Sequence, residues 1–388
     1  MKTFTAGIAG KGKPGIDAGA WGTAGRGPGW LFLLLAVVLT MVGGCRGTSS
    51  TVRAAEEIGP EHLWMFSPLG TLPPATGVVA EKVNLGRRLY YETHLSTNNS
   101  LSCNSCHDLG KYGVDPGRAV STGHNGKQGG RNSPTVYNAV LQFAQFWDGR
   151  APTLAAQASG PMMNPVEMGM PGPQAVLAVL HANPDYVKQF QRAYPGEKDA
   201  VTMENVTDAI ATFESRLLTP SRWDDYLHGN TQALTEAEKH GLGVFMDSGC
   251  AACHAGTGMG GNSYQKLGAF KDWPDETSDR GRFAVTGELR DSMYFKVPML
   301  RNVEETGPWF HDGKVNSLAE AVRLMGEYQT GRKLSEEQVR SIVTFLHALT
   351  GPIPRDYVER QPASAPPEAA VRPAGRQVEH RGNLEKGE

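Results

Sequence analysis

The sequence predicts a mainly α-helical protein built from two comparable halves, on three observations. Apolar residues recur at helical spacing behind recognisable caps. Alternating strand patterns are scarce. One short motif, Cys-x-x-Cys-His, occurs twice, 147 residues apart, beginning at Cys103 and Cys250. A chain of 388 residues also suits about two domains.

The helices can be taken in order. Asn183-Pro184 is an N-cap and N1 pair ahead of Tyr186, Val187 and Phe190. A run from about Glu204 to Leu218 sets Val206, Ile210, Phe213 and Leu217 on one face. Thr235 and Glu238 form a capping box before Leu242 and Phe245, in a helix leading into the second motif. Ser335 and Gln338 open another, striped with Val339, Ile342, Val343, Leu346 and Leu349 and stopped by Gly351-Pro352. The link between halves is expected within 218–234. The domains expected are 65–217 and 218–352. Residues 353–388, rich in Pro, Ala and charge, are expected to form a disordered tail.

Thirty-eight basic and forty acidic residues leave a formal charge of −2, which lacks the basic excess of a nucleic-acid partner. The N-terminus reads as an export signal. Lys2, Lys11, Lys13 and Arg26 precede an apolar stretch from Trp30 to Val42, too short to span a membrane and the right length for a signal-peptide core. Val42-Gly43-Gly44-Cys45 then resembles a bacterial lipobox. Residues 1–45 are therefore expected to be a lipoprotein signal with lipidation at Cys45, 46–64 a linker, and the location a periplasm, with a lipid tether as the only membrane contact.

Of five cysteines, Cys103, Cys106, Cys250 and Cys253 belong to the two repeated motifs. Cys-x-x-Cys-His is the attachment signature of a c-type haem. Two thioether bonds would fix one porphyrin edge, and His107 or His254 would bind iron from the proximal side. A zinc site would want its four ligands close together, and a redox dithiol needs no following His. The reading is thus two covalent haems, one in each half. Each half resembles a class I cytochrome c unit.

Gly123-His124, the segment from Gln145 through Phe146-Trp147-Asp148-Gly149-Arg150 to Ala151, Phe295-Lys296-Val297-Pro298 and Phe310-His311-Asp312-Gly313 closely resemble the bacterial di-haem cytochrome c peroxidases. The resemblance covers roughly residues 65–352 and implies two haems facing the domain interface. It implies that His124 binds the first iron in the resting enzyme and leaves on activation. It implies Glu167 as the acid–base group on the peroxide side, with Gln157 orienting peroxide or water, and Trp147 on the electron path between haems. These three lie at ten-residue spacing. Met325, 71 residues after His254, matches the distal ligand of the second haem. A thioether there raises the potential relative to a second His, so electrons would enter at the second haem. Met163 and Met168 rival His124; Met259, Met293 and Met299 rival Met325. The resemblance further implies a calcium ion held by Asn132, Thr306 and Pro308, a homodimer, and a small cytochrome c or cupredoxin as donor for the reduction of hydrogen peroxide. The role of His311 stays open.

Two other readings compete. A related di-haem oxidase, which modifies a protein substrate, carries Tyr in place of the distal Met, so Tyr328 near Met325 is of interest. A plain di-haem electron carrier would need neither Glu167 nor a movable His124.

Overall fold

Helices often start where side chains can satisfy their first N–H groups, and the computed structural model, which describes residues 59–274 and 278–359, follows that rule at most of its helices. The first lobe holds α1 (Gly77–Tyr90), α2 (Leu154–Met163), α3 (Pro173–His181), α4 (Pro184–Ala193) and α5 (Met203–Glu214). The second holds α6 (Arg222–Leu227), α7 (Glu236–Asp247), α8 (Phe283–Thr286), α9 (Leu318–Leu324) and α10 (Glu336–His347), and a last turn, α11 (Arg355–Val358), follows. Asn183 caps α4 by accepting from the Asp185 N–H. Thr235/Glu238 and Ser335/Gln338 form the two reciprocal capping boxes. The run expected to reach Leu218 stops sooner, at Glu214, although Leu217 is still buried. α1 was not anticipated: Thr76 makes no side-chain cap bond, and Gly77 and Gly86 lower its propensity. Nor was the small sheet of β1 (Tyr264–Lys266) against β2 (Tyr294–Lys296), antiparallel with Gln265 opposite Phe295.

Two helix crossings repeat one geometry. α1 crosses α5 at Gly86, where a Cβ would lie 1.9 Å from the Ala209 carbonyl oxygen. α7 crosses α10 at Gly241, where a Cβ would lie 2.0 Å from that of Ser341. Glycine is what lets each pair of backbones meet. Phe213 and Phe345 flank the two contacts in the same way. The correspondence extends through the loops at a constant offset of 164 residues. Asn138 and Asn302 both have φ 59°, and Phe146 and Phe310 have φ 66° and 67°. Both asparagines donate to the one Thr219 hydroxyl, at 2.8 Å each. The lobes are thus related by an internal repeat. The Asn132 N–H donates to the His311 carbonyl at 2.8 Å, and the Lys296 N–H donates to the Trp147 carbonyl at 2.8 Å.

The chain ends cross over, which corrects the expected boundaries at 65 and 353. Leu63 and Phe66 are buried in the second lobe, Phe66 edge-on to Trp223 at 5.4 Å. The Gly256 N–H donates to Met65, and the Leu69 N–H to Asp224. Residues 353–359 are ordered against the first lobe: Tyr357 stacks on Phe213 at 5.2 Å, and Tyr91 donates its hydroxyl to the Val358 carbonyl. The export signal, Cys45, most of the linker and the tail from 360 lie outside the described residues. Among the described residues no helix is long and apolar enough to cross a membrane.

Candidate active site

Each Cys-x-x-Cys-His motif folds as a tight 3-10 turn (Cys103–Ser105, Cys250–Ala252) whose histidine N–H returns to the first cysteine's carbonyl at 3.0 Å. None of the four cysteines is in a disulfide. The His107 Nδ1 meets the Gly113 carbonyl and the His254 Nδ1 meets the Met259 carbonyl, both at 3.3 Å. A carbonyl only accepts, so each Nδ1 carries the proton and each Nε2 keeps its lone pair. Burial lowers both imidazole pKa values, that of His254 to about 4. Neutral, oriented imidazoles of this kind suit iron ligation, so the residues present fit a haem in each lobe.

On the first lobe, a cleft of about 280 Å³ is lined by Phe146, Arg150, Ala156, Gly160, Asn164 and Glu167. The tight turn from Asn164 to Glu167 builds its acidic end. The Asn164 side chain accepts from the Val166 N–H and donates to Glu167 Oε1, both at 2.9 Å. Burial raises the Glu167 pKa, opposed by Arg150 and the Asn164 bond. Glu167 is also within electrostatic reach of Cys106, which ties the cleft to the first haem loop. Arg150, with its guanidinium 3.4 Å from the Phe146 ring centre, and Asn164 were not singled out from sequence. Their signal was adjacency, Arg150 inside the Trp147 segment and Asn164 three residues before Glu167.

His124 lies against this same turn. Its N–H donates to the Glu167 carbonyl at 2.8 Å, and its Nε2 is 3.2 Å from the Pro165 carbonyl. Gly123 and Gly169 permit the approach, since a Cβ on either would collide with Val166 or with the His124 ring. The structure therefore brings His124 and Glu167 together. Gln157 is half-buried in α2 and does not line the cleft. The rival Met168 is 5% exposed and packed in the first-lobe core. Trp147 sits at the lobe contact, donating Nε1–H to the Asn132 carbonyl at 2.9 Å.

On the second lobe, Met325 is half-buried and opens a π-helical turn, Met325–Gln329, a local widening common at functional sites. Met259 holds His254 from behind through its carbonyl and is fully buried, which puts it on the proximal side. Tyr328 is engaged elsewhere, its ring against Trp273 at 5.2 Å and under the Lys271 ammonium at 4.6 Å. For calcium, the Asn132 Nδ2 donates to Ala119 at 3.1 Å, while its Oδ1 accepts no hydrogen bond among the described residues. Thr306 and Pro308, after a cis Gly307–Pro308 bond, lie on the segment that Asn132 binds through His311. No group of three or more His, Cys, Asp or Glu among the described residues could hold a metal. A neutral oxygen set fits calcium chemistry.

One titratable group was unforeseen. Glu214, 4% exposed at the end of α5, stands where the repeat has Leu346. Burial pushes its carboxyl from 4.5 up to about 8. The folded state thus holds this proton more tightly than the unfolded chain. Its contribution to stability is whole below pH 4.5, falls by about 1.4 kcal/mol per pH unit as pH rises, and levels off above the folded pKa. Denaturant titrations of the holoprotein from pH 5 to 9 should show this decline, and Glu214→Gln should flatten it. An equal slope in both proteins would assign the decline to other groups.

Comparison with known proteins follows the same division. The family model described as di-haem cytochrome c peroxidase matches residues 80–232, and the cytochrome c model matches 239–350. Cytochrome c551 peroxidase of Pseudomonas aeruginosa is 45% identical over 295 residues, covering 75% of this chain and 84% of that protein. Cytochrome c peroxidase Ccp of Escherichia coli is 44% identical over 302 residues, covering 77% of this chain and 64% of that longer protein. A solved MauG-like protein associated with microbial copper homeostasis superposes with a TM-score of 0.66 at 27% identity, covering 76% of this chain and 96% of that one.

Proposed function

The chain belongs to the di-haem cytochrome c peroxidase family and carries two c-type haems, and from that premise we propose that it reduces hydrogen peroxide to two waters, consuming two electrons and two protons. The observation that carries this reading is the Glu167 carboxyl, half-buried at the end of a cleft beside the first haem loop and held in place by Asn164. Covalently attached haem supplies the electron storage and the iron that accepts peroxide. The chain's own work is proton transfer and access. Glu167, its pKa raised by burial, takes the proton from one peroxide oxygen and returns it to the other, which then leaves as water. Arg150 keeps a positive charge at the same cleft. His124 would hold the first haem's iron at rest and release it as its glycine-flanked loop withdraws. Met325 would hold the second haem, which would take electrons from a small periplasmic cytochrome c or cupredoxin, and Trp147 at the lobe contact would shorten their path. Calcium at Asn132, Thr306 and Pro308 steadies the contact between lobes. A lipid on Cys45 keeps the enzyme at a membrane surface as a homodimer.

The MauG-like structural neighbour keeps the protein-modifying oxidase as a second reading. Met325, and the engagement of Tyr328 with Trp273 and Lys271, favour the peroxidase. The test is spectroscopic and kinetic. Reduced by ascorbate with calcium present, the holoprotein should develop one high-spin haem and then turn over peroxide. Two haems that remain low-spin without turnover would leave an electron carrier. The switch itself is tested by His124→Ala, which should show a high-spin first haem while fully oxidised. A low-spin spectrum like that of the native protein would remove His124 as the resting ligand.

A further inference from the structure

The internal repeat sets an amide in one lobe against an ammonium in the other. Asn132 and Lys296 occupy the same position, each two residues before the proline (Pro134, Pro298) whose carbonyl meets the proximal histidine of its lobe. Each also donates its N–H across the lobe contact, to His311 and to Trp147. Asn132 finds carbonyl partners for its side chain. Lys296 is 5% exposed, and its ammonium has no ion pair or hydrogen bond among the described residues. The charged groups on neighbouring segments are committed to one another, and none of them acts on the Lys296 ammonium. Arg131 bridges Asp148 at 2.7 Å and Asp279 at 2.6 Å, Arg282 binds the Tyr264 hydroxyl at 2.7 Å, and His311 stacks on Phe295. An unpaired buried ammonium is costly, and burial alone lowers the Lys296 pKa to about 7. No other group among the described residues meets this charge, yet a c-type haem brings two propionates into the lobe.

We propose that Lys296 is a cofactor-binding residue whose ammonium pairs with a propionate carboxylate of the second haem. The cation also favours the reduced state of that haem. The first lobe has only an amide at the equivalent position, so this difference adds to the Met325 ligation in separating the two potentials, in the direction the proposed electron entry requires. The inference rests on the peroxidase reading for that last step alone.

The test is potentiometry of the holoprotein, with the two haems resolved by electron paramagnetic resonance. Lys296→Met should lower the second haem's reduction equilibrium by about tenfold, 59 mV for a one-electron couple. It should also make that potential fall as pH rises through neutrality, because the abandoned carboxylate then takes up a proton on reduction. Lys296→Arg should keep the native potential and a flat profile. An unchanged potential in Lys296→Met, or a shift confined to the first haem, overturns the assignment. Should the Met variant not mature, the native protein decides. A flat profile from pH 6 to 8 supports the pair, and a step near pH 7 that Lys296→Arg removes means the ammonium stands alone. Peroxide turnover, measured in parallel, keeps the two ideas apart. A native holoprotein without turnover, with the shift present in the variant, counts against the peroxidase reading only, and native turnover with no shift in the variant counts against Lys296 only.

Discussion

A Glu167→Gln variant should mature with both haems attached and lose about 10²- to 10⁴-fold in peroxide turnover, the range expected for removing a positioned acid–base group. The substitution conserves shape, so the cleft and the bond from Asn164 survive. What disappears is the capacity to accept a proton from one oxygen and deliver it to the next. The loss should appear in single-turnover reaction of the activated enzyme with peroxide, while reduction of the second haem by the donor stays at the native rate. Full activity would take Glu167 out of the mechanism. Slowed reduction of the second haem would instead point to a folding defect.

Asp224→Ala should destabilise the holoprotein by about 3–5 kcal/mol, because it strands a buried charge. Arg301 has a fully buried side chain and makes two bonds to Asp224, at 2.6 and 2.8 Å. Its Nε–H also donates to the Thr257 carbonyl at 2.6 Å, three residues past His254. Asp224 accepts the Leu69 N–H at 2.5 Å and the Ser221 N–H at 2.7 Å as well. Burial pushes the carboxyl upward, but Arg301 and these N–H groups outweigh it and hold the pKa below 3.8. A depressed folded pKa gives stability that is whole above the unfolded value of 3.8 and fades as pH falls through the folded one. The native protein should therefore lose stability on the acid side more steeply than the variant. The check is the urea midpoint at pH 7 and at pH 3. Equal midpoints at pH 7 would mean that Arg301 had found another acceptor.

The two halves and their haem loops were legible because their signals are local. A capping box such as Thr235/Glu238 or a Cys-x-x-Cys-His run is complete within five residues. The missing elements had no such signal. α1 begins without a side-chain cap, and three-residue strands are too short to show alternation. Glu214 follows an apolar face and reads as an ordinary helix end; only tertiary packing buries it, near Tyr90 and Cys103. Lys296 lay inside a quoted motif, but its isolation from carboxylates is a property of the fold. Gln157 was carried by the family resemblance and its even spacing, and the cleft forms without it. The crossed ends depend on contacts between residues far apart in the chain, such as Leu69 with Asp224 and Arg87 with Tyr357.

Those crossed ends bear on how the molecule can come apart. The exposed turn at 228–232 is an accessible place to cut the backbone, yet neither product would own a whole interior. The N-terminal piece would keep Leu63, Phe66 and Trp223, which fill the other piece's core. The C-terminal piece would keep Tyr357 and Val358, which seal the first. Nicked chains should therefore travel as one particle until denatured, and the separation of the two redox centres would outlast the covalent link between them.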